Sequence, residues 1–320
     1  MRHPRRLGTV LLLVLASVAA GCGGSESKEA ANPGRGVTLA LDFQPNAVHA
    51  GVFTAMDRGL DRKEDLSLRV RTPAASTDSL KLLTSGRADF SIVDIHDLGL
   101  ARQRGQDVVG VGAIVQRPLA AVIARRDVRR PRDLEGKRVG VTGVPSDEAV
   151  LDSVVRADGG DPERVRRTTI GFSAVPSLSA GKVDAVVTFW NAEGVALKRR
   201  GVRTREFRVD SFGAPRYPEL VLATKRSTLE GDPGLVRRLK AALAGGTRAA
   251  AADLPRAAKL VAGRSQADEP LTRAQVRAVA PAFSPPVELQ RRGLEGWARF
   301  DTRFGILKRR PDVERAFALP

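Results

Sequence analysis

The sequence predicts an α/β protein in which two similar series of strands and helices are followed by a helical tail. Short apolar runs rich in β-branched residues alternate with segments whose apolar residues recur at helical spacing. The alternation begins at Val37, restarts near Arg132, and gives way to a purely helical pattern from Asp232 onward. We therefore expect sheets of parallel strands joined by right-handed crossovers, with helices at the C-terminal end.

The first series supplies five predicted strands: the one at 66–72 has an alternating pattern, and the others are largely apolar runs. These strands are predicted at residues 37–43, 66–72, 89–93, 108–115 and 120–124. Helical spacing and capping residues predict helices from Ala47 onward, at 76–85 and at 98–104. This regular order of strand and helix is typical of a parallel sheet.

The second series follows the segment DLEGKR at 133–138. Its strands are predicted at 139–142, 168–172, 185–189, 204–208 and 219–224. Its helices are predicted from the 143–146 loop to about Ala157, at 175–180 and at 193–200, and those of the tail around 235–243, 257–261, 276–283 and 289–300.

Length and composition exclude several classes of protein. A chain of 320 residues with 42% hydrophobic content is long enough for two domains and too apolar to be disordered. The net charge of +17 is spread over single, paired or triple basic residues, and only 4% of residues are aromatic. Because nucleic-acid binding needs a basic patch in a recognisable module, we expect no nucleic-acid partner.

The N-terminus carries the signals of an exported protein. Three arginines precede the apolar run at 10–20, which is too short to span a bilayer, so residues 1–21 are predicted to be a signal peptide. The segment AAGC at 19–22 resembles a bacterial lipobox, and Cys22 is the only cysteine. We expect lipidation at Cys22, an extracytoplasmic location and attachment to the cell membrane. The pair Arg5-Arg6 leaves both the general secretion route and the twin-arginine route open.

Residues 22–36 are predicted to form a flexible tether, because they are rich in Gly, Ser, Glu, Lys and Asn. The stretch VTLALDFQPNAVHAG at 37–51 follows it and predicts a strand, a tight loop and a helix. Ligands of open α/β sheets lie beyond the carboxyl ends of the strands. This rule places one set of polar and aromatic side chains at a ligand site: Asp42, Phe43, Gln44, Asn46 and His49.

Each of these loop residues also has a structural alternative. Asn46 suits the N-cap of the following helix, and His49 suits a surface position on it. Thr77 and Ser76 begin another predicted helix, where exposed N–H groups favour an anion but capping is the more ordinary role. The helix after Gly143 offers a further anion site with Ser146 as cap, although Asp147 and Glu148 in its first turn discourage a negative ligand.

Two further strand ends carry side chains suited to a flat heterocycle. Asp94 and His96, after the third strand, can hydrogen-bond an aminopyrimidine, and together with Asp97 they are weak candidates for metal ligands. Trp190 can stack on a ring, and Glu193 can accept two N–H bonds from an amino group and a protonated ring nitrogen. The alternatives are that Trp190 packs in a core and that Glu193 caps a helix. Tyr217, the only tyrosine, lines a cleft or pads a hinge.

Several segments occur in an order that identifies a family. They are LDFQPN at 41–46 with His49, GL at 59–60, SGRADF at 85–90, QRP at 116–118, DLEGKRVG at 133–140 and AGKVDA at 180–185. In this combination the chain resembles the ABC-transporter solute-binding lipoproteins of the thiamine-pyrimidine-synthase-like and nitrate, sulfonate and taurine type. The resemblance spans residues 37–262. Its motifs are specific for the superfamily and only weakly specific for the ligand.

The resemblance implies a two-lobed periplasmic-binding-protein fold of type II with two strands crossing between the lobes. The crossings fall near 116–120 and 216–220, with Gln116 and Tyr217 beside them. Lobe one is then 37–118 with 219–320, and lobe two is 119–218. Such lobes close on a ligand by hinge motion.

Three functions follow from this resemblance. The first is a monomeric, lipid-anchored binding protein without a cofactor, which delivers a pyrimidine precursor of thiamine to an ABC permease and its ATPase. The second is a pyrimidine synthase that uses His49, but the segment FGAPRY at 212–217 lacks the cysteine-rich run of those enzymes. The third is a receptor for nitrate or an alkylsulfonate. Because Asp42, Asp94 and Glu193 favour a ligand with N–H donors or positive charge, the first hypothesis is preferred.

Overall fold

Ten strands form two five-stranded sheets in the part of the chain that the computed structural model describes, residues 34–75 and 77–319. The strands are β1 (Arg35–Ala40), β2 (Leu66–Arg71), β3 (Phe90–Asp94), β4 (Val108–Ala113), β5 (Ala120–Arg125), β6 (Arg138–Val141), β7 (Arg166–Thr169), β8 (Ala185–Phe189), β9 (Thr204–Arg208) and β10 (Leu220–Lys225). The first sheet has the order β2-β1-β3-β10-β4, and the second has the order β7-β6-β8-β5-β9.

Helices connect the strands and form the C-terminal part of the described chain. They are α1 (Ala50–Asp57), α2 (Leu60–Lys63), α3 (Asp78–Thr84), α4 (Ile95–Gln103), α5 (Pro145–Ala157), α6 (Ala174–Ser179), α7 (Val195–Arg199), α8 (Arg226–Gly231), α9 (Pro233–Ala252), α10 (Leu254–Ser265), α11 (Glu269–Val279), α12 (Arg291–Arg303) and α13 (Val313–Ala316). A π-helical turn, Trp190–Gly194, precedes α7. The predicted class, an α/β fold of the two-lobed binding-protein type with C-terminal helices, is confirmed.

Both sheets are mixed, whereas the alternation of strands and helices predicts parallel ones. β10 runs antiparallel to β3 and β4, and β5 runs antiparallel to β8 and β9. Each of these two strands enters its sheet directly after the chain has come from the other sheet. An arriving strand of this kind has no crossover helix on its own sheet, so its direction is not fixed by the βαβ rule.

The chain passes between the sheets twice. The first connection runs from the end of β4 to the start of β5, and the second runs from the end of β9 to the start of β10. The predicted crossings at 116–120 and 216–220 fall in these connections. Glu219 joins them, because its Oε2 accepts a hydrogen bond from the Leu119 backbone N–H at 2.7 Å. The division into lobes at 118 and 218 stays a prediction.

Two element boundaries differ from the predicted ones. The strand predicted at 168–172 is β7, which ends at Thr169 because Gly171 adopts a φ of +52° and turns the chain. The helix predicted at 193–200 begins three residues earlier, as the π-helical turn. Wide turns of this kind are frequent at functional sites, and neither apolar spacing nor capping residues predict them.

Two large apolar clusters hold the sheets and helices together. In one, Leu39, Ile92 and Leu222 from neighbouring strands pack with Leu239 of α9, all completely buried. The other contains Val122 and Val187 of the second sheet together with Val154 of α5. Burial of a side chain of this size stabilises the fold by about 1.5–3 kcal/mol.

The predicted export signal at the N-terminus lies outside the described residues. This applies to the predicted signal peptide, to Cys22, to most of the predicted tether and also to Ser76. Among the helices that the structure does describe, none combines the length and the apolar character needed to cross a bilayer.

Candidate functional site

A cavity of about 420 Å³ lies where strands of both sheets end. β1 and β3 of the first sheet and β6 and β8 of the second sheet lead directly into its wall. Five carboxylates line it: Asp42, Asp94, Asp97, Asp147 and Glu193. Two cationic side chains, Lys81 and Arg104, also line it. A cavity of this size suits a small molecule, and its lining is rich in groups that accept hydrogen bonds.

The loop after β1 places Asp42 at the cavity with the help of His49. The His49 ring is completely buried, and its Nδ1 accepts a hydrogen bond from the Asn46 backbone N–H at 3.1 Å. The proton of a neutral His49 is therefore on Nε2, which lies 2.7 Å from Asp42 Oδ1 and donates to it. His49 itself is not part of the cavity wall; it orients the carboxylate that is.

Asn46 caps a helical turn and also lies in the cavity wall. Its Oδ1 accepts from the Val48 N–H at 3.0 Å and caps the helical turn that leads into α1, and the residue also lines the cavity. Phe43 lines the cavity too, and its ring meets that of Phe172 edge to face with centroids 4.2 Å apart. Because Phe172 follows β7, this aromatic pair joins the two sheets.

The end of β3 supplies two carboxylates. Asp94 Oδ1 accepts from the His96 N–H at 2.8 Å and caps α4. Burial raises the pKa of Asp94 well above its usual range, although the charge of His96 opposes the shift. One turn later, Asp97 accepts hydrogen bonds from Ser146 of α5, and burial raises the pKa of Asp97 as well.

In the second sheet, the ends of β6 and β8 supply the remaining carboxylates. Asp147 Oδ2 accepts from the Thr142 N–H at 2.5 Å and from the Thr142 hydroxyl at 2.6 Å. Burial raises the pKa of Asp147 to about 7. Glu193 Oε2 accepts from the Thr188 hydroxyl at 2.7 Å. Burial raises the pKa of Glu193, against these hydrogen bonds and with a further contribution from Asp42.

Besides Gln44 and His49, three more of the predicted ligand residues are not part of the cavity wall. Trp190 donates its indole N–H to the Pro118 carbonyl at 3.2 Å, and the Arg208 guanidinium covers its ring at 3.9 Å. Gln116 donates to the carbonyls of Pro285 and Glu288. Tyr217, which is completely buried, contacts His96 instead. The Trp190 ring is therefore packed against protein groups, whereas the cleft and hinge alternatives for Tyr217 stay predictions.

A buried polar cluster lies next to the cavity. His96 Nδ1 is 2.7 Å from Asp301 Oδ1, and His96 Nε2 is 3.0 Å from the Tyr217 hydroxyl. Burial disfavours the imidazolium, but Asp301, together with Asp94 and Glu219, outweighs this effect and raises the pKa of His96 to about 10. These neighbouring acids therefore favour the imidazolium form of His96.

The metal alternative for Asp94, His96 and Asp97 receives no support. Across residues 34–75 and 77–319, no group of three or more His, Cys, Asp or Glu side chains is arranged to hold a metal ion. The three residues instead bond to a helix N-terminus, to Asp301 and Tyr217, and to Ser146.

Sequence reasoning missed several members of the wall, notably Ser79, Thr142, Thr188 and Phe189. Thr142 and Phe189 stand at or just after the predicted ends of their strands, so strand position was an available signal for them. Asp97 and Ser146 belong to helices that follow strands of different sheets, so no local sequence pattern predicts their contact.

Comparison with known proteins gives one family and several individual relatives. The family model described as NMT1/THI5 like matches residues 46–258, which is more than half of the chain. The formylaminopyrimidine-binding protein of Halalkalibacterium halodurans is 36% identical over 197 residues, covering 61% of this chain and 60% of that protein. The 4-amino-5-hydroxymethyl-2-methylpyrimidine phosphate synthase of Legionella pneumophila is 25% identical over 178 residues, covering 55% and 56%. The chain thus spans less than two thirds of the length of these relatives.

Solved structures share the architecture at low sequence identity. The alkanesulfonate-binding protein SsuA from Xanthomonas axonopodis pv. citri, bound to MOPS, has a TM-score of 0.72 at 17% identity, covering 89% of this chain and 98% of that one. The periplasmic aliphatic sulphonate binding protein SsuA from Escherichia coli has a TM-score of 0.69 at 15% identity, covering 88% and 97%. At these identities the likeness shows the fold alone.

Proposed function

The chain belongs to the NMT1/THI5 like family, and from this premise we propose that it binds an amino-substituted pyrimidine without transforming it. The ligand class is that of the thiamine pyrimidine precursors, and the cavity between the two sheets is the binding site. The protein delivers this ligand to an ABC permease and its ATPase on the outer side of the cell membrane.

The observation that carries this proposal is the ring of five carboxylates around the cavity. A carboxylate accepts hydrogen bonds and donates none unless it is protonated, so it recognises amino groups and protonated ring nitrogens. Burial raises the pKa of Asp94, Asp97, Asp147 and Glu193. The raised pKa values show that negative charge is already costly in this cavity, and an anionic ligand would add to that cost.

Shape and similarity support the same ligand class. Phe43 and Phe189 supply aromatic surface for a flat ring. A volume of about 420 Å³ is at the small end of ordinary ligand cavities. The relative from Halalkalibacterium halodurans carries the name of a formylaminopyrimidine-binding protein.

Binding is preferred over synthesis because of the thiol content of the chain. The cysteine-rich run that the resemblance associates with the synthases has no counterpart at 212–217, and Cys22 is the only cysteine. That cysteine ends the AAGC segment at 19–22, which supports export and lipid attachment rather than catalysis. The relatives named as phosphate synthases match at 24–26% identity, below the 36% of the binding protein.

A thermal-shift experiment tests the proposal. A ligand that binds only the folded protein stabilises it by about 2.7 kcal/mol when its concentration is 100 times its Kd. We expect 4-amino-5-hydroxymethyl-2-methylpyrimidine or its formylamino analogue to raise the melting temperature by several degrees, with MOPS, methanesulfonate and nitrate giving no shift. Stabilisation by a sulfonate or nitrate with no response to either pyrimidine would instead assign the protein to the oxyanion binders.

A further inference from the structure

The N-terminus of α5 opens onto the cavity, and a carboxylate from the opposite sheet occupies it. Asp97 Oδ1 accepts from the Ser146 backbone N–H at 3.2 Å, and Asp97 Oδ2 accepts from the Ser146 hydroxyl at 3.0 Å. Asp97 belongs to α4, which follows β3 of the first sheet. Ser146 is the second residue of α5, which follows β6 of the second sheet. Both oxygens of one carboxylate are therefore bound across the cavity wall.

This arrangement is the one an anionic ligand makes at a helix N-terminus, where free N–H groups and the helix dipole favour negative charge. The residue before α5, Val144, offers no side-chain cap, so the first turn depends on a group from outside the helix. Ser146 is only 3% exposed. Asp97 thus stands where the phosphate or sulfonate group of a ligand would otherwise be held.

The neighbouring donors are also taken by carboxylates or amides of the protein. The Thr142 N–H and hydroxyl bind Asp147, the Val48 N–H binds Asn46, and the His96 N–H binds Asp94. Of the two cations in the wall, Lys81 lies 3.7 Å from Asp78, and Arg104 is exposed at the end of α4. An oxyanion entering the cavity would have to displace Asp97 and then face four further carboxylates.

We propose that Asp97 is a specificity-determining residue that excludes phosphorylated and sulfonated ligands, so that the cavity takes the unphosphorylated form of its amino-heterocycle. This inference rests on the proposed function for the identity of the ring, but the role of Asp97 is independent of it. The contact also joins the two sheets, so a purely structural role has to be separated from selectivity.

The test compares one alcohol with its phosphate ester. Calorimetric titration of the full chain with 4-amino-5-hydroxymethyl-2-methylpyrimidine and with its phosphate should show at least 100-fold tighter binding of the alcohol. In Asp97→Ala and in the isosteric Asp97→Asn, the preference for the alcohol should weaken. The Kd of the ester divided by the Kd of the alcohol should be at least tenfold lower than in the wild type. Glu148→Gln is the matched control, because Glu148 is an exposed carboxylate in the same helical turn, and its ratio should stay at the wild-type value. A structural role alone would weaken both ligands together and leave the ratio unchanged.

Sulfate provides a second readout that needs no pyrimidine. We expect millimolar sulfate to raise the melting temperature of Asp97→Ala above the shift that it gives the wild type and Glu148→Gln. Failure of every protein to bind the alcohol would count against the proposed function, and the sulfate comparison would then decide the role of Asp97. An unchanged ester-to-alcohol ratio in both Asp97 variants, or an equal response of all proteins to sulfate, overturns the inference.

Discussion

Glu193 is held at the cavity wall by its own strand end. Its Oε2 lies 2.7 Å from the Thr188 hydroxyl and 3.4 Å from the Phe189 N–H, and the residue belongs to the π-helical turn after β8. These hydrogen bonds orient the carboxylate before a ligand arrives. An amino group that meets it forms a hydrogen bond to a charged or partly charged acceptor, which is stronger than a neutral one.

Replacement of Glu193 by glutamine tests this role. Glu193→Gln keeps the shape of the side chain but removes the charge and places an N–H donor towards the ligand. We expect the affinity for an aminopyrimidine to fall by about 1.5–3 kcal/mol, the usual contribution of a hydrogen bond to a charged group. Calorimetric titration measures this change, and the thermal unfolding of the free protein should stay near that of the wild type. Glu148→Gln, on the exposed side of α5, should leave the affinity unaltered; an equal loss in both variants would argue for a general charge effect.

Position at a strand end predicted the carboxylates of the cavity wall more reliably than it predicted the aromatic residues there. Asp42, Asp94 and Glu193 follow strand ends, and the carboxyl ends of strands face the cavity. Trp190 follows a strand end as well, but the wide turn directs its ring towards Arg208 and its N–H towards Pro118. Side-chain direction within an irregular turn depends on contacts that are distant in sequence, and spacing does not encode them.

Among the elements, α1 and α9 approach each other most closely at a pair of glycines. A Cβ on Gly246 would lie 2.2 Å from the Gly51 carbonyl oxygen and 2.7 Å from the Ala55 N atom. A Cβ on Gly51 would lie 2.3 Å from the Thr247 hydroxyl. Since α1 follows directly after the loop that carries Asp42 and Asn46, this close crossing also fixes the position of that loop.

Because α1 and α9 lie so close together here, a single methyl group added at Gly246 should destabilise the folded protein. Gly246→Ala places its Cβ against backbone atoms that cannot move aside separately, so α1 must shift. We expect a loss of about 1–3 kcal/mol in the free energy of unfolding, the usual cost of overpacking. Urea denaturation measures it. Gly263→Ala in α10 is the matched control, because no atom lies within 4 Å of its added Cβ and alanine favours a helix by up to about 1 kcal/mol. Equal stability of the two variants would contradict this description of the crossing.

The elements themselves were largely predictable, because their apolar runs are long and continuous. β4, with every residue buried, and β5 and β10 fall within the predicted strands to a few residues. The directions of β5 and β10 within their sheets were not predictable, since the chain arrives there from another sheet and no local pattern records the route. Nothing in the sequence around Gly51 and Gly246 indicates that these two glycines face each other.

At the scale of the whole molecule, buried carboxyl groups make the fold sensitive to pH. Burial raises the pKa of Glu219 to about 7 despite the nearby His96 charge, and burial raises the pKa of Asp147 to about 7 as well. Their ordinary values are 4.5 and 3.8. Between about pH 4 and pH 7 the folded protein therefore holds protons that the unfolded chain has released. His96, with a pKa of about 10 against an ordinary 6.5, acts in the same direction at higher pH.

Stability should consequently fall as the pH rises from 5 to 8. The free energy of unfolding decreases with pH wherever the folded state binds more protons than the unfolded state, and these three groups all have that sign. Asp158 and Asp232, whose pKa values are lowered, titrate below this range. We expect a lower melting temperature at pH 8 than at pH 5 in matched ionic strength. Glu219→Gln should flatten the dependence, because an amide cannot ionise; a melting temperature that rises over this range would contradict the assignment.

Both sheets contribute to the wall of the proposed binding cavity. Residues of β3 and β8 and residues that follow β1 and β6 surround one volume, and the five carboxylates lie at strand ends of both sheets or in the helices that follow them. The family resemblance implied such a cleft, but the identity of its wall required the three-dimensional contacts.

A crystal structure of the protein with 4-amino-5-hydroxymethyl-2-methylpyrimidine tests this claim most directly. We expect the ring to lie in the cavity lined by Asp42, Phe43 and Glu193, with its exocyclic amino nitrogen about 2.7–3.2 Å from a Glu193 carboxylate oxygen. A ring bound outside this cavity, or one whose amino group faces none of the five carboxylates, would contradict it.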